Sequence, residues 1–314
     1  MFLVVLFTAA MVFFPQVTEA GSKSAIIIWA NSIVPVLLPF FIFSDFIKRT
    51  GNLEMLPLRV YPFIVACLSG YPMGARVSAD MVKSGGMDLP EGKWVLSYAM
   101  VTGPAFLMGT IGGFLGSTRA AAVVTAAHYG GALLNGMLWR QEKGESRGSR
   151  GSHSSRGLRG RRTPVRPAGM EGAERNSKTA ESGNFLDLFT QSILSGFRAM
   201  ALILAYLIVF MIGIQLMETA GVFRFIGNET ASSMVKGLLE MTAGARMISA
   251  CNIRMEMKTI LISVLVSFGG LSVIGQSVSM AEGSGIGLSD ILKRKITHGL
   301  LAGILSVFLV RMVL

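Results

Sequence analysis

Charge is scarce in this chain. Of 314 residues, 15% are Asp, Glu, Lys or Arg against 51% hydrophobic, and the mean hydropathy is +0.56. A water-soluble domain would precipitate with such a surface, so the composition predicts a polytopic membrane protein. Cysteine is nearly absent as well. Cys67 and Cys251 lie in or beside apolar segments, which excludes a disulfide framework. Three scattered histidines and two cysteines give no spacing that would hold zinc, and no metal or cofactor is implied. No nucleophile, metal or paired-acid arrangement stands out, so the chain does not read as an enzyme.

What is abundant is apolar sequence. Runs recur at about Phe2 to Phe14, Ala25 to Ile47, Val60 to Val82, Trp94 to Gly116, Ala120 to Leu138, Ala199 to Met217, Val235 to Ala250, Ile260 to Met280 and Ile296 to Leu314. Most approach the roughly 20 residues that cross a bilayer. Val60 to Val82 and Val235 to Ala250 are suspect as clean spans, since each carries glycine and arginine. The remaining seven predict about seven full spans. At the N-terminus "VTEA" resembles a small-residue cleavage site, but no Lys or Arg precedes the apolar run, so a retained first helix is expected.

Residues 140–184 change character abruptly to Gly, Ser and Arg, with almost no large apolar residue. Such a stretch buries too little surface to offset the ordering of its backbone, and a disordered linker is predicted. It holds eleven of the 29 basic residues, from Arg140 to Lys178, so the positive-inside rule places it in the cytoplasm. It lacks interleaved aromatics, and nucleic acid is not an expected partner; the bilayer is. Counting spans outward from the linker puts the Lys83 to Lys93 loop inside. The loop with Lys48, Arg49 and Arg59 also favours the inside. Both are satisfied only if Val60 to Val82 enters the membrane and returns, as a broken or re-entrant segment does.

The two halves repeat. "FFIFSDFIKRTG", ending at Gly51, aligns with "FMIGIQLMETAG", ending at Gly221, and each glycine stands 23 residues before an identical tripeptide, Gly74-Ala75-Arg76 or Gly244-Ala245-Arg246. Farther on, Gly103 in "MVTGPAF" matches Gly269 in "LVSFGGLS" if the first copy carries four extra residues in a polar loop. Three spans separate the copies, an odd number, so the expected architecture is all-α with two inverted repeats, 1–139 and 185–314, and re-entrant or broken helices. Paired breaks at matching positions are a pattern of secondary transporters with a midplane site.

The candidate site residues follow from the breaks. Arg76 and Arg246 are the first, because a guanidinium at membrane depth normally faces a cavity, a partner or an anion. They either clamp a diacidic anion, or snorkel or pair internally with Glu240 or Asp45. Gly70, Tyr71, Pro72 and Gly74 form a break beside which a half-helix N-terminus would favour an anion. Thr102 and Gly103, with Gly269, Gly270, Ser272 and Gln276, form the second matched pair and add hydroxyl and amide groups. Gly109 with Gly113 and Gly112 with Gly116 read as helix contacts, not as a nucleotide loop. Asn31, Pro35 and Pro39 break up the second helix. Asp45 is placed in the headgroups, and His128 is a hydrogen-bonded packing residue rather than a proton relay.

The strings "VPVLLPFFIFSDFI", "LSGYPMGARVSADMVKSG", "LEMTAGARMIS" and "SFGGLSVIGQ" resemble the sporulation integral membrane proteins of the YlbJ family, in the nucleoside-recognition or Gate-domain group. The resemblance spans nearly the whole chain apart from the linker. It implies a membrane protein akin in outline to concentrative nucleoside transporters, acting in endospore formation at the outer forespore membrane and linked to moving dipicolinic acid. A nucleoside-type transporter, or a membrane scaffold for spore-envelope assembly that transports nothing, are the other functions considered. The small anionic substrate is the expected partner, and a homo-oligomer is left open.

Overall fold

The computed structural model describes residues 2–50, 56–140 and 185–314. Gly51, one anchor of the repeat, and all of the basic linker except Arg140 lie outside the described residues. Every regular element among the described residues is helical, as the apolar runs predict.

A short helix, α1 (Phe2–Phe13), leads into α2 (Pro15–Thr50). The 12 residues of α1 fall short of a bilayer span. Sequence reasoning has Asn31, Pro35 and Pro39 breaking up α2, yet the helix runs through them. It widens to a π-turn at Trp29–Ile33 and keeps Pro39 inside. The Thr110 hydroxyl of α6 donates to the Ser32 carbonyl in this widened stretch at 3.0 Å, and Trp29 at its start ties α2 to α8, its indole donating to the Met200 carbonyl at 3.0 Å.

Next come α3 (Tyr61–Ser69) and α4 (Met73–Lys83), then α5 (Leu89–Ala99) and α6 (Phe106–Leu115), and α7 (Thr118–Leu138). After the linker, α8 (Phe185–Thr219) precedes α9 (Glu229–Leu239) and α10 (Met241–Ala250). The chain closes with α11 (Met255–Phe268), α12 (Gly270–Met280) and α13 (Leu288–Val313). Among the described residues four stretches are long and apolar enough to cross a membrane: Pro15–Thr50, Phe185–Thr219, Met255–Met280 and Leu288–Val313. The 21-residue α7 is about 30 Å long and also suffices by length.

Both suspect runs are helical hairpins. Arg59, just before α3, pairs with Glu91 near the start of α5, and its carbonyl accepts from the Tyr98 hydroxyl. α4 ends at Lys83, six residues before α5 begins, so the α3–α4 segment returns to the end from which it started. In the second half Ser233 of α9 lies 3.7 Å from Cys251, just past α10. Each arm has 9 to 11 residues, about half a bilayer at 1.5 Å per residue. The element order after the first long helix is therefore the same in both halves: hairpin, broken helix, long helix.

Small residues let the elements approach. A Cβ on Gly131 of α7 would lie 2.9 Å from Ala302 of α13, and one on Gly21 of α2 would lie 2.9 Å from the Ile212 backbone of α8. Of the four α6 glycines, Gly109 abuts Val36 and Gly112 abuts Ala121, as read from the sequence. Gly113 meets nothing, and Gly116 ends the helix at φ +61°, so these two are not contacts between helices.

Candidate functional site

Helix breaks leave backbone groups without helical partners, and in apolar surroundings they are held by packed protein or line a cavity. All four breaks meet at one cavity of about 670 Å³, its open mouth included. The first hairpin contributes Gly70 and Tyr71, and the break after α5 contributes Thr102, Gly103 and Phe106. The second hairpin contributes Glu240, Met241 and Thr242, and α12 contributes Ser272, Val273 and Gln276. Phe40 and Phe41 of α2 and Tyr206 of α8 supply aromatic walls.

The breaks are built from glycine where backbones crowd. Gly70 has φ 66° and ψ −168°, a region that glycine alone adopts freely, and the Tyr71–Pro72 peptide is cis. A Cβ on Gly74 would lie 1.9 Å from the Ala99 carbonyl oxygen, so α4 starts directly against the end of α5. Its counterpart Gly244 faces Gly237 across the second hairpin, where a Cβ would lie 2.1 Å from Cα. Gly269 and Gly270 both have positive φ, 89° and 72°, turning α11 into α12. Glu240 sits extended between α9 and α10, and its carboxylate caps α10 by accepting the Ala243 amide at 2.6 Å.

Six of the residues read from the sequence line this cavity: Gly70, Tyr71, Thr102, Gly103, Ser272 and Gln276. Pro72, Gly74, Gly269 and Gly270 shape the breaks without lining it. The two arginines are not brought to it. Arg76 is on an outward stripe of α4 with Asp80 and Lys83; its side chain is 47% exposed and stands 3.7 Å from Asp80. Gly74, Ala75, Ser78 and Ala79 take the inward face of the same helix. Arg246 is likewise exposed, on the side of α10 opposite the buried Ala245 and Ile248. The expected guanidinium clamp therefore has no counterpart in this geometry. Glu240 pairs with neither arginine, and Asp45 pairs with Arg49 at 2.6 Å and Lys48 at 3.4 Å.

Behind the cavity wall is a polar network that sequence reasoning missed. Lys295 of α13 is 1% exposed, and among the described residues no carboxylate pairs with it. Its ammonium donates to the Tyr71 hydroxyl at 2.6 Å and to the Met100 carbonyl at 3.2 Å. Tyr71 in turn donates to the Val266 carbonyl at 3.2 Å, so one chain of hydrogen bonds joins α13, the first hairpin, the α5 break and α11. Beside it, His128 Nε2 accepts the Thr102 amide at 3.1 Å, and Nδ1 lies 2.9 Å from the Ser267 hydroxyl. His298 Nε2 donates to the His128 carbonyl at 2.9 Å. With both nitrogens engaged, His128 is a packing histidine, as read from the sequence. The available clue to Lys295 was its spacing: Lys295 and His298 lie three residues apart, on one face of α13, and both are buried.

No family model matches the chain, and no solved structure matches it. The chain is 21% identical over 331 aligned residues to the sporulation integral membrane protein YlbJ of Bacillus subtilis (strain 168), across 96% of this chain and 80% of that protein. With its helices long and apolar enough to cross a bilayer and its end-to-end similarity to a sporulation integral membrane protein, the chain is an integral membrane protein.

Proposed function

We propose that the protein is a transporter that moves a small aromatic organic anion, such as dipicolinic acid, across a membrane of the sporulating cell. The observation that carries this reading is the convergence of all four helix breaks, two from each half, on one cavity. A scaffold that only packs has no use for paired breaks around an empty centre. Alternating access does, because discontinuous helices present backbone groups and half-helix ends to a solute at the midplane. Between the two hairpins the chain passes the α5–α6 element, α7 and α8, an odd number of spans. The halves then run in opposite directions through the bilayer, as inverted repeats.

Aromatic recognition falls to Tyr71, Phe106, Phe40, Phe41 and Tyr206, and polar recognition to Thr102, Ser272 and Gln276. Met241 and Thr242 at the start of α10 and Ser272 in the first turn of α12 line the cavity, where amides of a helix start favour an anion. Arg76 and Arg246 have no part in binding on this reading.

A nucleoside-type substrate is the second reading, favoured by one observation: among the described residues the only charged side chain lining the cavity is a carboxylate, Glu240. Uptake into liposomes separates the two. The purified protein is expected to exchange labelled pyridine-2,6-dicarboxylate and not uridine. Exchange of uridine alone makes it a nucleoside carrier, and exchange of neither makes it a scaffold.

A further inference from the structure

The geometry points to Glu240 as the proton-binding group that couples transport to a proton gradient. The inference rests on the transport reading above and deepens it.

Glu240 is 5% exposed, lines the cavity and has no cationic partner among the described residues. One carboxylate oxygen is held by the Ala243 amide. It stands at the bend between the two arms of a hairpin, where its backbone is extended and belongs to neither helix. At the matching position of the first hairpin, 170 residues earlier, stands Gly70, so only one of the two tips carries an ionisable group.

The groups around it leave this carboxylate to titrate against the solute. Tyr71 and Tyr206 are the other titratable residues lining the cavity. Lys295 lies behind Tyr71, bonded to its hydroxyl, and His128 lies behind Thr102, bonded to its amide. On α9, Lys236 is drawn away to Glu218 at 3.0 Å, and on α10, Arg246 is exposed. The lining residues from α2, the α5 break and α12 carry no titratable group.

An organic anion entering this cavity meets an ionised Glu240 at short range in a low dielectric, where like charges repel strongly. Protonation removes the repulsion and supplies an O–H donor in its place. The anion therefore binds the protonated form better, and by reciprocity the bound anion raises the affinity of Glu240 for its proton. Release of the anion on the other side of the membrane releases the proton there. One proton accompanies each anion, and no other co-reactant is needed.

The test uses the full chain in vesicles of phosphatidylethanolamine and phosphatidylglycerol, with the membrane potential clamped and labelled pyridine-2,6-dicarboxylate as probe. Wild type is expected to exchange the probe at equal pH and to accumulate it under an inward proton gradient, about tenfold per pH unit for one coupled proton. Under the same gradient E240Q is expected to accumulate the probe only to a ratio of about 1, whatever exchange it retains, and E240D is expected to regain accumulation. Exchange without pH-driven accumulation is not the mark of a residue that merely caps a helix. If E240Q still accumulates the probe, or if wild type follows a sodium gradient and not a proton gradient, transport stands and the role of Glu240 falls. Loss of exchange in both E240Q and E240D also overturns it, in favour of a purely structural cap. If wild type neither exchanges nor accumulates the probe, the transport reading itself fails.

Discussion

The two hairpin tips occupy the same place in the element order and are built by different chemistry. The first turns on backbone freedom, with Gly70 at φ 66° followed by Tyr71 and Pro72, and is fastened from outside by Lys295. The second turns on a side chain, with Glu240 in ordinary extended conformation capping α10 from within its own hairpin. The same bend can thus be reached by removing a Cβ or by satisfying an amide. The two solutions leave different groups facing the cavity: a bare backbone and an aromatic ring on one side, a carboxylate on the other.

Substitutions can break or sharpen this contrast. The largest effect is expected where the halves are alike. Gly74→Ala and Gly244→Ala each drive a methyl into backbone atoms, at 1.9 and 2.1 Å, and should each cost about 3 kcal/mol or more. Loss of monodisperse protein in detergent would show it, whereas normal yields from both would mean that the hairpins pack less closely than described. At the tips the effects should diverge. Gly70→Ala places a side chain in a glycine-only region, at about 2 kcal/mol, and Glu240→Ala removes a cap, at about 1 kcal/mol. Thermal unfolding of the two variants side by side tests the order, and a reversed order would deny the contrast. Tyr71→Phe deletes a buried hydrogen bond and leaves the Lys295 amine short of a partner, and should cost about 2 kcal/mol, while Met241→Leu, at the matching position, should cost less than about 1.5 kcal/mol. The smallest effect is expected at Arg76. Its half-exposed pair with Asp80 contributes at most about 0.5 kcal/mol, and Arg76→Gln should leave anion exchange within about twofold of wild type. A tenfold loss would restore the arginine to the binding site.

Much of the architecture was legible in the sequence because it is written in composition. Apolar runs marked the long helices, and glycine and proline marked the breaks. The 170-residue offset between the two Gly-Ala-Arg tripeptides also brings Gly70 onto Glu240, the two tips themselves. What composition does not encode is which face of a short helix turns inward. Arg76 was drawn to the site by membrane depth alone, although its spacing to Asp80 and Lys83, four and seven residues on, describes a polar stripe that turns away from Ala75 and Ala79. Lys295 was overlooked for the opposite reason. In "SDILKRKITHG" it reads as one charge of a solvated helix end, and only packing of α13 against α7 and the first hairpin buries it. Proline misled in α2 because the helix widens at Trp29–Ile33 and the Thr110 hydroxyl that bonds the Ser32 carbonyl there comes from α6, far along the chain.

The fastening at Lys295 has a mechanical consequence. The first tip is bolted to the last helix through Lys295 and, through Tyr71, to the end of α11 beside the second break. To swing open, that tip must shear an ammonium away from both its ligands in a dry interior. The second tip packs against α11 and α12, but among the described residues its carboxylate bonds only within its own hairpin. On the transport reading the cycle is expected to be lopsided, the second hairpin yielding before the first.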